Sequence, residues 1–232
     1  MEGIILVDKP RGITSFDVIA RIRRFTGVRK VGHSGTLDPM ATGLLPVFVG
    51  KSVTKQIKHF MGADKGYEGE MTLGVRTDTM DSEGKELECQ ISNVKTCENE
   101  ILKLFQKFTG KIMQKPPMFS AKKVNGQRLY KLARKGLVVD VPPKEVEIHR
   151  LELLSFKGNI VKFRVLCSKG TYVRSLVSDI GNELGYGAHL SSLRRIYAHP
   201  FVISQAITLE TIENLTKIGK LDSIMLRVEA FL

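Results

Sequence analysis

Cysteine is scarce in this sequence, and its spacing argues against two kinds of protein. The 232 residues include three cysteines, Cys89, Cys97 and Cys167, which form neither a Cys-x-x-Cys pair nor a regular framework. A disulfide-stabilised secreted fold and a cysteine-based zinc site are therefore not indicated. Reduced thiols suit a cytoplasmic protein, and we expect a cytoplasmic location.

Long apolar runs and cofactor motifs are missing as well. The first segment, MEGIILVDKP, has an apolar run of four residues flanked by acids, which is too short for a signal peptide or a membrane span. The glycine patterns of dinucleotide and phosphate loops do not occur, nor does a Gly-x-Ser-x-Gly elbow, and the five histidines lack metal-ligand spacing. We expect a globular protein without membrane contact, metal or cofactor, whose chemistry uses ordinary side chains.

Acidic residues are too few to balance the basic ones. The sequence has 36 Lys and Arg against 24 Asp and Glu, a formal charge of +12, which favours a polyanionic partner. Residues 111–139 contain eight basic residues and no acid, interleaved with Phe119 and Tyr130. Cations can contact phosphates while rings stack on bases, so we interpret residues 111–143 as an RNA-binding insertion. A solvated lysine-rich surface is the alternative. The candidate RNA-binding residues are Lys122, Lys123, Arg128, Lys131 and Arg134.

The hydrophobic pattern predicts an α+β fold. GIILV reads as a buried strand, Ser15 as the cap of a helix, and the alternation after Tyr67 as a half-buried strand. Strands near 146–156 and 160–167 are predicted to form a hairpin, and a helix is predicted near 52–61. Because strands and helices mix without regular βαβ alternation, we expect a sheet with helices and loops packed around it, in one domain over residues 1–232.

One glycine-rich loop, VGHSGTLDPMATG at 31–43, holds a single acid, Asp38. The simplest interpretation is that Asp38 caps a helix whose first residue is Pro39, an arrangement that implies no chemistry. A catalytic carboxylate is the other interpretation, and the local sequence does not decide between them.

Six segments, taken in order, resemble the motifs of the bacterial tRNA pseudouridine-55 synthases, the TruB family. They cover the chain from residue 3 to about 215 and are DKPRGITS, VGHSGTLDPMATGLLP, KGYEGEMTLG, MFSAKKVNGQRLYKLARKG, SKGTYVRSL and GAHLSSLRR. The resemblance implies a mixed, largely antiparallel central sheet of the pseudouridine synthase type. It also implies cofactor-free isomerisation of one uridine in the T loop of tRNA, so the expected partner is the T arm.

The resemblance implies three catalytic residues. Asp38 matches the catalytic aspartate, Tyr67 the active-site tyrosine, and Arg174 the arginine that pairs with that aspartate. A carboxylate can stabilise or attack C1′ of the ribose, attack C6 of uracil or remove the 2′ proton, and the sequence leaves these routes open. A guanidinium nearby would keep the carboxylate ionised in a dry pocket. Without the other motifs, Tyr67 would be read as a core aromatic residue and Arg174 as a surface arginine.

The resemblance also implies substrate-binding and supporting residues. His33 matches the histidine that meets the flipped nucleotide, and Tyr172 and Leu193, together with Tyr67, match residues that line the uracil pocket. Lys9 and Pro10 match a structural motif that supports the catalytic loop.

The C-terminal sequence departs from the family pattern. Bacterial members commonly continue into a small RNA-binding PUA domain, and LTKIGKLDSIMLRVEAFL is too short to form one. We therefore expect either a short form or a truncated chain, acting as a monomer without an obligatory protein partner. Two alternatives remain: an RNA-binding or RNA-folding module without turnover, and a related synthase that acts on another RNA.

Overall fold

The computed structural model describes residues 1–87, 93–120, 122–124, 126–137 and 139–231. They divide into two compact units: unit 1 comprises Met1–Tyr67 and Leu193–Leu232, and unit 2 comprises Glu68–Ser192. Cys89, one of the three cysteines, lies outside the described residues. None of the helices in the described ranges combines the length and apolar character that a membrane crossing requires.

The described strands are β1 (Gly3–Lys9), β2 (Val31–His33), β3 (Thr42–Val49), β4 (Lys65–Leu73), β5 (Gly110–Gln114), β6 (Lys123–Val124), β7 (Gln127–Arg128), β8 (Lys144–Lys157), β9 (Ile160–Cys167), β10 (Ala188–Ala198), β11 (Phe201–Val202) and β12 (Ile207–Thr208). The described α-helices are α1 (Ser15–Thr26), α2 (Lys51–Thr54), α3 (Ile57–Met61), α4 (Glu98–Lys107), α5 (Leu129–Ala133), α6 (Val173–Glu183) and α7 (Leu209–Lys217). Short 3₁₀ turns lie at Ile203–Gln205, Leu221–Ile224 and Val228–Phe231.

Unit 1 is organised around β1 and β3. These strands pair antiparallel from Gly3 opposite Val49 to Lys9 opposite Gly43, and the order of strands is β12, β1, β3, β10. Nearly every residue of β1 and β3 is buried, which explains why both read as continuous apolar runs rather than alternating ones. The strand predicted at GIILV is confirmed.

The cap of helix α1 lies one residue before the predicted one, so the helix itself begins at Ser15. Thr14 is the N-cap: its hydroxyl accepts a hydrogen bond from the Asp17 N–H, and the Asp17 carboxylate accepts one from the Thr14 N–H. This reciprocal capping box leaves Ser15 inside the helix, where it is buried. The prediction of a Ser15 cap is therefore wrong by one residue, because threonine and serine suit the position equally well in sequence.

Unit 2 is an antiparallel arrangement. Strand β8 pairs with both β5 and β9, and β4 follows β9 in the strand order. Lys157 lies opposite Ile160, so the β8–β9 hairpin turns through two residues, with Gly158 in the left-handed region at φ 63°. The predicted hairpin is confirmed, and the predicted α+β fold with a largely antiparallel sheet is confirmed with it.

Two local predictions differ from the structure. The helix expected near 52–61 is two short helices, α2 and α3, because residues 55 and 56 interrupt the helix. The extended loop expected before Arg128 contains a small hairpin, in which Lys123 pairs with Arg128 and Val124 with Gln127.

Candidate active site

The loop that carries Asp38 enters a strand rather than a helix. The Asp38 carbonyl accepts a hydrogen bond from the Ala41 N–H at 3.1 Å, which closes a turn over Pro39 and Met40. Strand β3 starts at Thr42. The helix-cap interpretation of Asp38 is therefore wrong, because pairing with β1 extends the chain immediately after the turn.

Lys9 fixes the segment that follows Asp38. Its side chain is completely buried, and its ammonium group donates to the carbonyls of Pro10 at 2.9 Å, Ile13 at 2.7 Å and Pro39 at 3.3 Å. A buried ammonium carries a large desolvation cost unless its three donors are used. The end of β1 is thereby joined to the residue after Asp38.

Ser15 fixes the segment that precedes Asp38. Its buried hydroxyl accepts a hydrogen bond from the Leu37 N–H at 2.9 Å and donates to the Leu37 carbonyl at 3.0 Å. Both neighbours of Asp38 are thus held through their backbone groups, one by Ser15 and one by Lys9. This arrangement fixes the position from which the half-buried Asp38 side chain extends.

Arg195 is a further buried cation in unit 1. It lies in β10 opposite Gly43, is 1% exposed, and donates to the carbonyls of Leu44 at 2.7 Å and Gly35 at 3.1 Å. Its side chain also hydrogen-bonds the side chain of Tyr67. Burial lowers the pKa of the Arg195 guanidinium, and the contact with Tyr67 opposes that shift.

Gly43 is required opposite Arg195. A β-carbon at residue 43 would lie 2.4 Å from the Arg195 carbonyl oxygen and 2.8 Å from its nitrogen. Gly43 also has φ +99°, a conformation that other residues rarely adopt. The glycine therefore permits the close approach of β3 and β10 at this point.

His33 lies in β2, and its Nδ1 accepts a hydrogen bond from the Gly35 N–H at 3.2 Å. Burial lowers the pKa of His33, and the positive charge of Arg195 lowers it further. The imidazole is therefore neutral near pH 7, with its proton on Nε2. Tyr67 is 8% exposed in β4, where buried and less buried residues alternate as predicted.

Arg174 lies in unit 2 at the start of α6. It is buried and donates to the carbonyls of Thr79 at 2.9 Å and Phe119 at 2.8 Å. The carboxylate of Asp81, which is also buried, lies 3.3 Å from its Nη1. The Thr79 hydroxyl at 2.6 Å and the Glu83 N–H at 3.0 Å donate to the same carboxylate. Pairing of Arg174 with Asp38 stays a prediction.

Tyr172 precedes Arg174 and is held by a buried glutamine. The Tyr172 N–H donates to Gln114 Oε1 at 2.7 Å, and Gln114 Nε2 donates to the Tyr172 carbonyl at 3.1 Å. One turn into α6, the Ser175 hydroxyl donates to the Lys115 carbonyl at 3.0 Å. The start of α6 is thereby attached to the end of β5 and the residue after it.

The predicted site residues are distributed over both units. His33, Asp38, Tyr67 and Leu193 belong to unit 1, and Tyr172 and Arg174 belong to unit 2. Within unit 1, Tyr67 hydrogen-bonds Arg195, whose charge acts on His33, and the Leu193 carbonyl accepts a hydrogen bond from the Thr42 hydroxyl at 3.4 Å.

Sequence reasoning did not single out Arg195 or Asp81. Asp81 stands in a polar, mostly acidic segment that gives no sign of burial. Arg195 is the second arginine of SSLRR, and only the resemblance of that motif to the family pointed to its neighbourhood.

The basic stretch, residues 111–139, presents most of its described lysines and arginines to solvent. Arg128, Lys131 and Arg134 are exposed, and the Arg134 guanidinium lies 5.6 Å from the centre of the Tyr130 ring. Buried Leu129 anchors α5 beneath them. Lys122 is partly exposed, whereas the side chain of Lys123 lies outside the described part of the structure.

Comparison with known proteins defines the class. Residues 23–173 match the N-terminal domain of the TruB family pseudouridylate synthases, and residues 174–232 match the tRNA pseudouridylate synthase B C-terminal domain. The class is thus that of the pseudouridylate synthases.

Two curated relatives carry the name tRNA pseudouridine synthase B. The protein of Geobacillus thermodenitrificans is 45% identical over 99% of this chain and 78% of its own length. That of Stutzerimonas stutzeri is 49% identical over 93% of this chain and 70% of its own. The chain belongs to the TruB family of pseudouridylate synthases.

Solved structures share the fold. A chain in the crystal structure of a Cbf5–Nop10–Gar1 complex is 32% identical, with a TM-score of 0.74 over 95% of this chain. A chain in the structure of an H/ACA RNP bound to a substrate RNA containing 2′-deoxyuridine is 28% identical, with a TM-score of 0.73 over 98% of this chain. This chain spans 56% and 59% of the length of those two chains.

Proposed function

We propose that this protein isomerises a uridine of the tRNA T loop, at position 55, to pseudouridine. The observation that carries the proposal is the match of both family domains along residues 23–232, with relatives named tRNA pseudouridine synthase B at 45% and 49% identity. We assign Asp38 the role of the catalytic aspartate, which the fixed backbone on both sides of it supports.

The reaction is an internal rearrangement that needs no redox partner. The C1′–N1 bond of the uridine breaks, the uracil turns, a C1′–C5 bond forms, and a proton leaves C5 while N1 gains one. A fixed carboxylate can serve the sugar or the base in this sequence by attacking C1′, by attacking C6 or by removing the 2′ proton. In each case the rate depends on the position of the carboxylate relative to the atom on which it acts.

Arg174 is assigned the role of keeping Asp38 ionised. Enclosure of a carboxylate raises its pKa, and a guanidinium within about 4 to 6 Å opposes that change. Asp81 and the two backbone carbonyls hold Arg174 in one orientation. We therefore place Asp81 behind Arg174 as a positioning residue.

The remaining site residues are assigned to the substrate. The target base must leave the RNA stack, which costs a few kcal/mol. A neutral His33 can occupy the vacated space or stack on the displaced nucleotide without adding a charge. Tyr67, Tyr172 and Leu193 are assigned to the uracil pocket, and the Tyr67 hydroxyl is assigned the task of assisting removal of the C5 proton.

The basic stretch is assigned to the T arm of tRNA. Its exposed arginines and lysines suit phosphate contacts, and Tyr130 beneath Arg134 supplies a ring next to them. Because this stretch belongs to the same chain as the assigned catalytic residues, it supports action as a monomer without an obligatory protein partner. A reaction without a cofactor is also part of the proposal. A tRNA substrate also supports a cytoplasmic location. One catalytic domain over residues 1–232 remains part of the proposal.

The test is incubation of the purified protein with unmodified tRNA transcript, followed by chemical mapping of pseudouridine. We expect product at position 55, and we expect Asp38→Asn to lower the rate by about 10³-fold or more while tRNA binding survives. The matched control is Asp222→Asn, an exposed aspartate of the same unit, which should react at the parent rate.

Three outcomes would contradict the proposal. Product formation by Asp38→Asn near the parent rate would remove Asp38 from the reaction. Binding of tRNA by the parent protein without any product would favour the RNA-binding module, and product on a different RNA alone would favour the related synthase.

A further inference from the structure

Arg195 is a completely buried cation to which the assignments above give no role in the reaction. It is 1% exposed, and burial acts strongly against its charge. A guanidinium in such a place must use its donors, because an unsatisfied buried charge is far more costly than a neutral side chain. The identity of its acceptors therefore shows what the residue organises.

The acceptors come from three separate segments of unit 1. The Nε donates to the carbonyl of Leu44 in β3, Nη2 donates to the carbonyl of Gly35 in the Asp38 loop, and the side chain also hydrogen-bonds Tyr67 in β4. Within the described residues, no carboxylate forms a salt bridge with Arg195 at 4.0 Å or less. The guanidinium thus donates to two backbone carbonyls and one phenol.

The surroundings leave the guanidinium little freedom. A β-carbon at Gly35 would lie 3.3 Å from its Nη1, and the backbone of Arg195 lies against Gly43 so closely that no side chain fits there. Both ends of the arginine are therefore confined. A planar fork with donors fixed in direction connects confined acceptors better than a single ammonium group does.

The contact also limits the Tyr67 hydroxyl. A guanidinium can only donate, so the phenol oxygen accepts the bond. The hydroxyl proton must then point away from Arg195, which leaves the oxygen one preferred direction for a further partner. Confinement of a reacting group in this way contributes to the rate through orientation rather than through binding.

We propose that Arg195 positions Tyr67 and the Asp38 loop relative to each other, so that both groups meet the uridine in one fixed arrangement. This inference rests on the proposed function, because it assigns Tyr67 and Asp38 to the same reaction. Arg195 is a positioning residue and does not touch the substrate. Burial lowers the pKa of neighbouring His33, and the positive charge of Arg195 lowers it further.

The test is a double-mutant cycle measured in single turnover with excess protein on a tRNA transcript. We expect Arg195→Lys to lower the rate by about 10²-fold, the loss typical of one removed catalytic hydrogen bond. The concentration of protein that gives half the maximal rate should stay within about twofold, because an orientation effect leaves binding unchanged. In the Tyr67→Phe background the same substitution should cost at least about tenfold less, since the phenol that it orients is gone.

The matched control is Arg194→Lys. Arg194 is the preceding residue of the same strand, half-exposed and paired with Asp8 at 2.6 Å, and its substitution should leave the rate near that of the parent. If Arg195→Lys does not fold, Gly35→Ala replaces it: the added methyl group presses on Nη1 without removing the charge, and the rate should fall with the same dependence on Tyr67.

An equal loss in the parent and Tyr67→Phe backgrounds would overturn the inference, as would a loss confined to binding or an unchanged rate in Gly35→Ala. These results differ from failure of the proposed function, in which the parent protein itself makes no pseudouridine.

Discussion

Two positively charged residues at the Asp38 loop of unit 1 are buried, whereas most positively charged residues in the basic stretch of unit 2 are exposed. Lys9 and Arg195 are completely buried, and their described hydrogen bonds go mainly to backbone carbonyls around the Asp38 loop. Arg128 and Arg134 are exposed in a segment that has no acid from residue 111 to 139. A buried cation fixes the backbone around it, whereas an exposed cation supplies a field for a charged partner.

The buried and the exposed cations also differ in how much their interactions contribute to stability. A buried polar group left without its partner costs about 1 to 3 kcal/mol, and a charged one costs more. The ion pairs in and beside the basic stretch, Lys111 with Glu145 and Lys115 with Asp140, are well exposed and each contributes about 0 to 1 kcal/mol. Substitution should therefore change stability in unit 1 and RNA affinity in unit 2.

Lys9→Met should show the largest effect. The substitution fills the site but removes the ammonium donor from three carbonyls, and the Pro39 carbonyl, next to Asp38, keeps the Gly12 N–H as a donor at 2.8 Å. We expect the free energy of unfolding to fall by about 3 kcal/mol and the rate of pseudouridine formation to fall by about 10²-fold because the loop loses its position. Urea denaturation and single-turnover mapping measure the two quantities. Lys58→Met, at an exposed position of α3, is the control; equal stability of the two variants would break the comparison.

Replacement of Lys122, Lys123 and Arg128 by alanine tests the other side of the comparison. We expect tRNA affinity to fall by about tenfold at fixed salt, and the slope of log affinity against log salt to decrease by about 1 for each phosphate that is no longer neutralised. Thermal unfolding should stay close to that of the parent. The control replaces Lys58, Lys107 and Lys217, which lie outside the stretch. Unchanged affinity across a salt series would show that the stretch is only a solvated surface.

Asp179→Asn should show the smallest effect on stability, and its carboxyl is neither fully buried nor fully exposed. Burial in α6 raises the pKa of the Asp179 carboxyl to about 6. The folded protein then binds more protons than the unfolded chain between about pH 4 and 6, so stability falls as pH rises through this range. The asparagine variant escapes this penalty and should be more stable by about 1 kcal/mol at pH 7, after allowance for the partly exposed side chain.

The pH dependence identifies the cause. The advantage of Asp179→Asn should shrink as the pH falls and disappear near about pH 3, where the carboxyl is mostly protonated in both the folded and the unfolded state, as urea denaturation at several pH values would show. An advantage that persists unchanged at about pH 3 would contradict the assignment to burial, and the exposed Asp222→Asn should show no such trend.

The sequence pattern predicted the strands and helices better than it predicted the buried charged residues around the candidate site. The alternation in β4 placed Tyr67 on the buried side, and turn residues located the β8–β9 hairpin, because both signals are local. The burial of Lys9, Asp81 and Arg195 could not be read in this way. Charged residues are almost always exposed, and only contacts distant in sequence reveal the exceptions.

The turn at Asp38 shows the same limit. An aspartate followed by proline suits the start of a helix, and the antiparallel pairing of β3 with β1 decides against it. Similarly, threonine and serine are equally good caps for α1, and the hydrogen bonds of Ser15 with Leu37 across the chain remove the ambiguity.

The hydrogen bond from Arg195 to the Gly35 carbonyl joins residues 160 positions apart. The ribosome adds the segment containing Asp38 well before Arg195, and β1 and β3 can pair in the interval, yet the guanidinium that completes this region follows 160 residues after Gly35. A nascent chain therefore holds this centre incomplete while the intervening residues are added, and the hydrogen bonds of Arg195 complete it only once β10 has been synthesised.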